Sequence, residues 1–221
     1  PSKHIISQGE HNMKKRIFNL LILDESGSMS SVKKETVDNI NETLQTIKTS
    51  QKENPEQEYF VSLVTFNSKS KTLYDCVNVE NVKEITHEDY YPNCSTALYD
   101  TMGDSLNKLR KHVAEEDNVL VTIITDGYEN ASVEYKKEQI QALVQDLKSK
   151  GWVFVYLGAN HDVEKVAYSI SITNTMKFEA NHQGMEEMTR ELNDGRSRMY
   201  RRMSEPDFDT KAANTGFFNK D

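Results

Sequence analysis

Cysteine is scarce: Cys76 and Cys94 are the only two in 221 residues, too few for the disulfide framework of a small secreted domain. Free structural thiols are therefore expected, ahead of a Cys76–Cys94 bridge or a regulatory thiol. A reducing, cytoplasmic location fits, with a mature secreted form that has lost its signal as the open alternative. Long apolar runs are also missing. The longest, such as Val119 to Ile124, fall far short of the roughly 20 residues that a membrane-spanning helix needs, so no membrane partner is expected. Basic charge is in deficit, with 27 Lys and Arg against 35 Asp and Glu and a formal net charge of −8. Binding to nucleic-acid phosphates depends on Lys and Arg displacing counterions, so no nucleic-acid partner is expected. The local exception, Arg196, Arg198, Arg201 and Arg202, follows Glu186, Glu187 and Glu191 on one predicted helix and reads as a solvated face. Repeats and low-complexity linkers are absent, and the length suits one domain.

The first fifteen residues form a polar N-terminal extension without the apolar core of a secretory signal. Met13, followed by Lys14-Lys15-Arg16, is a candidate natural start. A single domain is expected over residues 16–205, closing with a C-terminal helix, and an irregular tail over 206–221.

Within the domain, strand-like and helix-like segments alternate. Ile17 to Leu23 is an apolar run that reads as a buried strand. Val32, Thr36, Val37, Ile40, Leu44 and Ile47 then recur at helical spacing. Tyr59 to Phe66 and Lys71 to Val77 read as two strands close enough to form a hairpin, the second antiparallel at an edge. Leu98, Met102, Leu106, Leu109 and Val113 share one helical face, and Asn118 to Thr125 is the next strand. Ile140, Leu143, Val144 and Leu147 define another helix, which Gly151 closes. Trp152 to Leu157 follows as a strand, then a short helix over Val163 to Ile170 and a strand around Thr175 to Phe178. Met185, Met188, Leu192, Met199 and Met203 stripe a final helix from Gln183 to Met203. This order predicts an α/β fold: a doubly wound, mostly parallel six-stranded sheet with one short antiparallel edge strand and helices on both faces.

Asp24-Glu25-Ser26-Gly27-Ser28-Met29 stands at the carboxyl end of the first strand, where open α/β sheets bind ligands. By itself, D-x-S-x-S fits a helix cap as well as a cation site. Two more loops leave the same predicted edge: Asn93 to Thr96 before a helix, and Asp126 to Asn130 after a strand. Together Asp24, Ser26, Ser28, Thr96 and Asp126 would offer two carboxylates and three hydroxyls, hard donors suited to six-coordinate Mg²⁺ that retains some water.

Asp24-x-Ser26-x-Ser28, then Ser95-Thr96-Ala97-Leu98-Tyr99-Asp100, then Thr125-Asp126-Gly127, in that order and on those elements, resemble a von Willebrand factor type A domain of bacterial type. The resemblance covers about Arg16 to Phe178. It implies a metal-ion-dependent adhesion site, with Ser26, Ser28 and Thr96 as hydroxyl ligands and Asp24 and Asp126 acting largely through water and hydrogen bonds. Mg²⁺ is the implied ion, with Mn²⁺ or Ca²⁺ as alternatives. The threonine loop departs from the family's frequent glycine-rich form, reading Tyr91-Pro92-Asn93-Cys94-Ser95-Thr96. Gly158-Ala159-Asn160-His161-Asp162 resembles the segment after the fifth strand in a bacterial group, with no chemistry assigned to it.

A cation held mainly by neutral hydroxyls keeps enough charge to accept a carboxylate from elsewhere. The expected function is therefore a metal-dependent protein-binding module that engages an Asp or Glu of a protein partner, and not an enzyme. The oligomeric state is not legible. A Mg²⁺-dependent phosphohydrolase competes, since aspartyl-phosphate enzymes also place an aspartate after the first strand. They carry a second one two positions on, where this chain has Ser26. A structural domain with an unused metal site is the third reading. His161 beside Asp162 reads as a loop histidine, and no zinc spacing occurs.

Overall fold

A computed structural model describes residues 14–160 and 162–220. Most of the polar N-terminal extension, the candidate start at Met13 and His161 lie outside the described residues. One six-stranded sheet has the order β3-β2-β1-β4-β5-β6. Its strands are β1 (Lys15–Asp24), β2 (Gln57–Phe66), β3 (Ser70–Asn78), β4 (Asn118–Thr125), β5 (Trp152–Gly158) and β6 (Asn174–Lys177). The helices are α1 (Lys33–Glu53), α2 (Leu98–Leu109), α3 (Lys137–Ser149), α4 (Val163–Ser169), α5 (His182–Ser204) and α6 (Thr210–Ala213). Parallel pairing joins all neighbours except β2 and β3, which are antiparallel.

β4 and β5 are buried along their whole lengths and β1 over its last eight residues, because helices cover both faces of a parallel sheet. Side-chain alternation divides the core. Ile17, Leu21 and Leu23 join α1, α5 and the C-terminal Phe217 on one face. Phe18, Leu20 and Ile22 join α2, α3 and α4 on the other. No residue of the edge strand β3 is buried. Its register slips near Ser62, and Cys76 adopts φ 50° while its N–H donates to Ser62 Oγ at 3.0 Å. Such irregularity blunts an open edge against pairing with another chain.

Two features differ from expectation at the C-terminus. Arg196 does not sit on a solvated face: it is 0% exposed, donating to Asn19 Oδ1 at 2.9 Å and Thr122 Oγ1 at 2.8 Å. The α5 stripe Leu192, Met199 and Met203 carries position 196 inward with it. The segment after Pro206, expected to be irregular, forms the one-turn helix α6 and docks. β6 is too short to pair the first residues of β5, so side chains complete the edge. Phe154 N–H donates to Asn214 Oδ1 at 3.0 Å, and Asn214 Nδ2 donates to the Trp152 carbonyl at 2.9 Å. Buried backbone groups need such partners.

Candidate metal centre

β1 and β4 lie side by side at the centre of the sheet, and the chain winds outward from them in opposite directions. The crevice at such a switch point, beyond the carboxyl ends of the strands, is the usual ligand site of an open α/β sheet. Asp24 ends β1, and Asp126 follows the last residue of β4. They are 0% and 2% exposed.

Side chains and backbone fix both carboxylates. Asp24 Oδ1 accepts from the Ser26 N–H at 2.7 Å, and Asp24 Oδ2 from the Thr125 hydroxyl at 2.6 Å. The Tyr90 hydroxyl donates to the Asp24 carbonyl at 2.6 Å. Ser28 Oγ donates to Asp126 Oδ1 at 2.6 Å and stands 3.1 Å from Ser26 Oγ. Four of the five expected residues thus form one connected cluster, open to solvent at Ser28. Thr96, the fifth, is 4% exposed, and its hydroxyl lies 3.7 Å from where a Cβ on Gly127 would stand.

The electrostatics are unbalanced. Among the described residues, Asp126 Oδ2 is buried with no hydrogen-bond partner. Burial pushes the Asp126 carboxyl above its ordinary value. The Ser28 hydrogen bond pulls the other way, and the charge of Asp24 adds to the rise. Two buried carboxylates close enough to repel, one with an orphan oxygen, suit a cation. No group of three His, Cys, Asp or Glu able to hold a metal occurs among the described residues. Hard hydroxyl and carboxylate oxygens fit Mg²⁺ rather than a soft or borderline ion.

The threonine loop owes its path to residues with no place in the expected set. Gly27 N–H donates to the Cys94 carbonyl at 3.1 Å, and Asn93 N–H to the Glu25 carbonyl at 2.9 Å. The Glu25 carboxylate accepts from the Tyr91 N–H. Ala97 N–H donates to the Asn67 carbonyl at 2.7 Å. On the other side, Asn130 and Glu129 tie the loop and the start of α2 to the segment after β4. Asp100 accepts from the N–H groups of Val133, Glu134 and Tyr135 at 2.8–2.9 Å. Thr125, one residue before Asp126, is the member of this group that its position in the sequence could have revealed. The others are contacts between distant segments.

Both cysteines are free. Cys94 is exposed with φ 59°. Asp162 caps α4 by accepting from the Lys165 N–H at 3.2 Å.

A sequence profile of the von Willebrand factor type A domain matches residues 20–195. No curated protein sequence matches the chain. Among solved structures, the PilB minor pilin of Streptococcus sanguinis superposes with a TM-score of 0.60 at 14% identity, over 87% of this chain and 64% of that one. Proximal thread matrix protein 1 of the mussel byssus gives 0.58 at 14% identity, over 83% and 46%. A von Willebrand factor type A protein of Catenulispora acidiphila gives 0.53 at 14%, over 82% and 43%. The chain therefore spans about two fifths to two thirds of the length of these structures, and at such identity the likeness speaks for the fold. The profile match extends over most of the chain and takes in Asp24, Ser26, Ser28, Thr96 and Asp126: the chain belongs to the von Willebrand factor type A domain family.

Proposed function

We propose that this domain is a binding module that holds a divalent cation, Mg²⁺ in the first instance and Mn²⁺ or Ca²⁺ as alternatives, and through it an Asp or Glu of a protein partner. Ser26, Ser28 and Thr96 would supply direct hydroxyl ligands, and Asp24 and Asp126 would act mainly through water and hydrogen bonds. The bound cation supplies an electrophilic position open to an outside carboxylate. The observation that carries this reading is the buried Oδ2 of Asp126, unpartnered among the described residues, beside the Ser26–Ser28 hydroxyl pair.

Asp24 argues for binding over hydrolysis. Its two oxygens are engaged by Ser26 N–H and the Thr125 hydroxyl, which suits a fixed acceptor rather than a nucleophile that must reach a phosphorus atom. Two exposed tyrosines on loops of this edge, Tyr91 (67% exposed) and Tyr128 (54%), supply the flat amphipathic surface that protein interfaces favour. The free thiols accord with a reducing, cytoplasmic setting, and the domain is read as bacterial in type. No described helix is long and apolar enough to cross a membrane.

A melting experiment tests the cation. An ion that binds only the folded state at about 100 times its dissociation constant stabilises by about 2.7 kcal/mol. For a chain of this size that is roughly 5–10 °C. Mg²⁺ should raise the midpoint accordingly, EDTA should reverse the rise, and Ser26→Ala and Thr96→Ala should shrink it. A wild-type midpoint indifferent to Mg²⁺ and Mn²⁺ would remove the basis of this reading.

A further inference from the structure

Thr96 sits in a stretch with no strand beneath it. Between the short 3₁₀ turn Val79–Asn81 and α2, the chain has no regular element. Nothing in the sheet itself therefore sets where the Thr96 hydroxyl stands relative to Asp24 and Asp126. One residue spans the gap from the β4 side. Asn130 Oδ1 accepts from the Thr96 N–H at 2.9 Å, and Asn130 N–H donates to the Thr96 carbonyl at 3.0 Å. Both backbone groups of Thr96 thus end on a single residue, four positions beyond Asp126.

We propose that Asn130 is a positioning residue that sets the affinity of the cation site by locking Thr96 to the loop that carries Asp126. The proposal rests on the reading of Asp24, Ser26, Ser28, Thr96 and Asp126 as a cation site. The two bonds fix the Thr96 backbone at both ends, and with it the Cβ from which its hydroxyl projects. Glu129 supports the clamp from the neighbouring position: its Oε2 accepts from the Tyr99 N–H at 2.9 Å, and its Oε1 from the Ala131 and Ser132 N–H groups at 2.8 and 2.7 Å. Glu129 thereby ties the loop after β4 both to itself and to the start of α2, next to the clamp on Thr96. Asn130 is itself exposed, so its side chain adds little to the core. Its contribution is preorganisation, which spares the site the cost of ordering a loop on binding.

The test is calorimetric titration of Mg²⁺ into the full chain, with the melting midpoint of the metal-free protein measured beside it. Asn130→Ala keeps the backbone bond but removes the acceptor from the Thr96 N–H. Its dissociation constant should rise about tenfold, the scale seen when the outer partner of a metal ligand is lost, with the metal-free midpoint little changed. Asn130→Asp keeps an acceptor oxygen and should bind within threefold of wild type or tighter. Asn214→Ala breaks comparable side-chain bonds at the opposite edge, to Phe154 N–H and the Trp152 carbonyl. It should lower the metal-free midpoint and leave Mg²⁺ affinity unchanged. An Asn130→Ala affinity within twofold of wild type overturns the positioning role, as does an Asn130→Asp protein as weak as Asn130→Ala. A well-folded wild type that binds neither Mg²⁺ nor Mn²⁺ instead overturns the cation reading beneath it.

Discussion

Arg196 brings a guanidinium into the core between α5 and the sheet, and among the described residues its hydrogen-bond partners are neutral: Asn19, Thr122 and Tyr200. Its Nε has no partner at all among those residues. Asn19 Oδ1 also accepts from the Tyr200 hydroxyl, so it stays satisfied if the arginine is removed. An unpaired buried charge is a poor source of stability, and a well-packed apolar side chain of similar length commonly does as well or better. Arg196→Met should therefore unfold in urea within about 1 kcal/mol of wild type, whereas Arg196→Ala, which opens a cavity, should lose about 3 kcal/mol. Equal losses in both would mean that the charge itself holds α5 down. The misreading of this residue is instructive. A cluster of four arginines suggested solvent, but position 196 continues the spacing Met185, Met188, Leu192, Met199, Met203, and burial followed the spacing. Asp24 and Asp126 were legible because each ends or follows an apolar strand. The bonds of Asn130 to Thr96 were not, because they join segments 34 residues apart and leave no mark on a local pattern.

At the scale of elements, the apolar stripes were the dependable signal. Val32, Thr36, Val37, Ile40, Leu44 and Ile47 are all buried, and Gly151 takes φ +89° at the end of α3, a conformation that glycine adopts without steric cost. The C-terminal segment escaped that logic, since it docks through Asn214, Asn174 and the ring of Phe217, with Phe208 and Phe218 packed beside it, rather than through a stripe. Phe217 N–H donates to Asn174 Oδ1 at 3.0 Å, and the ring lies against α5 where Gly195 leaves room. A Cβ at Gly195 would come within 2.6 Å of the ring. Gly195→Ala should thus cost about 1–3 kcal/mol from overpacking, despite the roughly 1 kcal/mol by which alanine favours a helix interior. Phe217→Ala should cost about 3–5 kcal/mol. In the double variant the steric conflict is largely gone, so adding Gly195→Ala to Phe217→Ala should be close to neutral. Urea unfolding of all four proteins gives the coupling. Simple additivity would show that the tail does not press on α5 in solution.

The whole molecule places the candidate cation at one edge of the sheet and surrounds it with a chain of net charge −8. Those two facts oppose each other for an acidic partner. Close in, a cation on hydroxyl ligands attracts a carboxylate strongly. Farther out, the summed charge of the protein repels it, over about 30 Å at 0.01 M salt but only about 8 Å at 0.15 M. Peptides selected from a random displayed library on the full chain in Mg²⁺, and released by EDTA, should converge on sequences containing Asp or Glu. For an acidic peptide so obtained, the association rate measured at constant free Mg²⁺ should rise as salt is raised across that range, the reverse of ordinary electrostatic steering. Dissociation should depend little on salt, because the metal-bridged contact is short. Tyr91→Ala and Tyr128→Ala should speed dissociation while leaving the Mg²⁺ affinity of the free protein unchanged, since neither side chain belongs to the proposed ligand set. An association rate that falls with salt would mean that positive charge local to the site, and not the net charge of the chain, governs the approach of the partner. Selected peptides without an acidic residue would mean that the site does not work through a carboxylate.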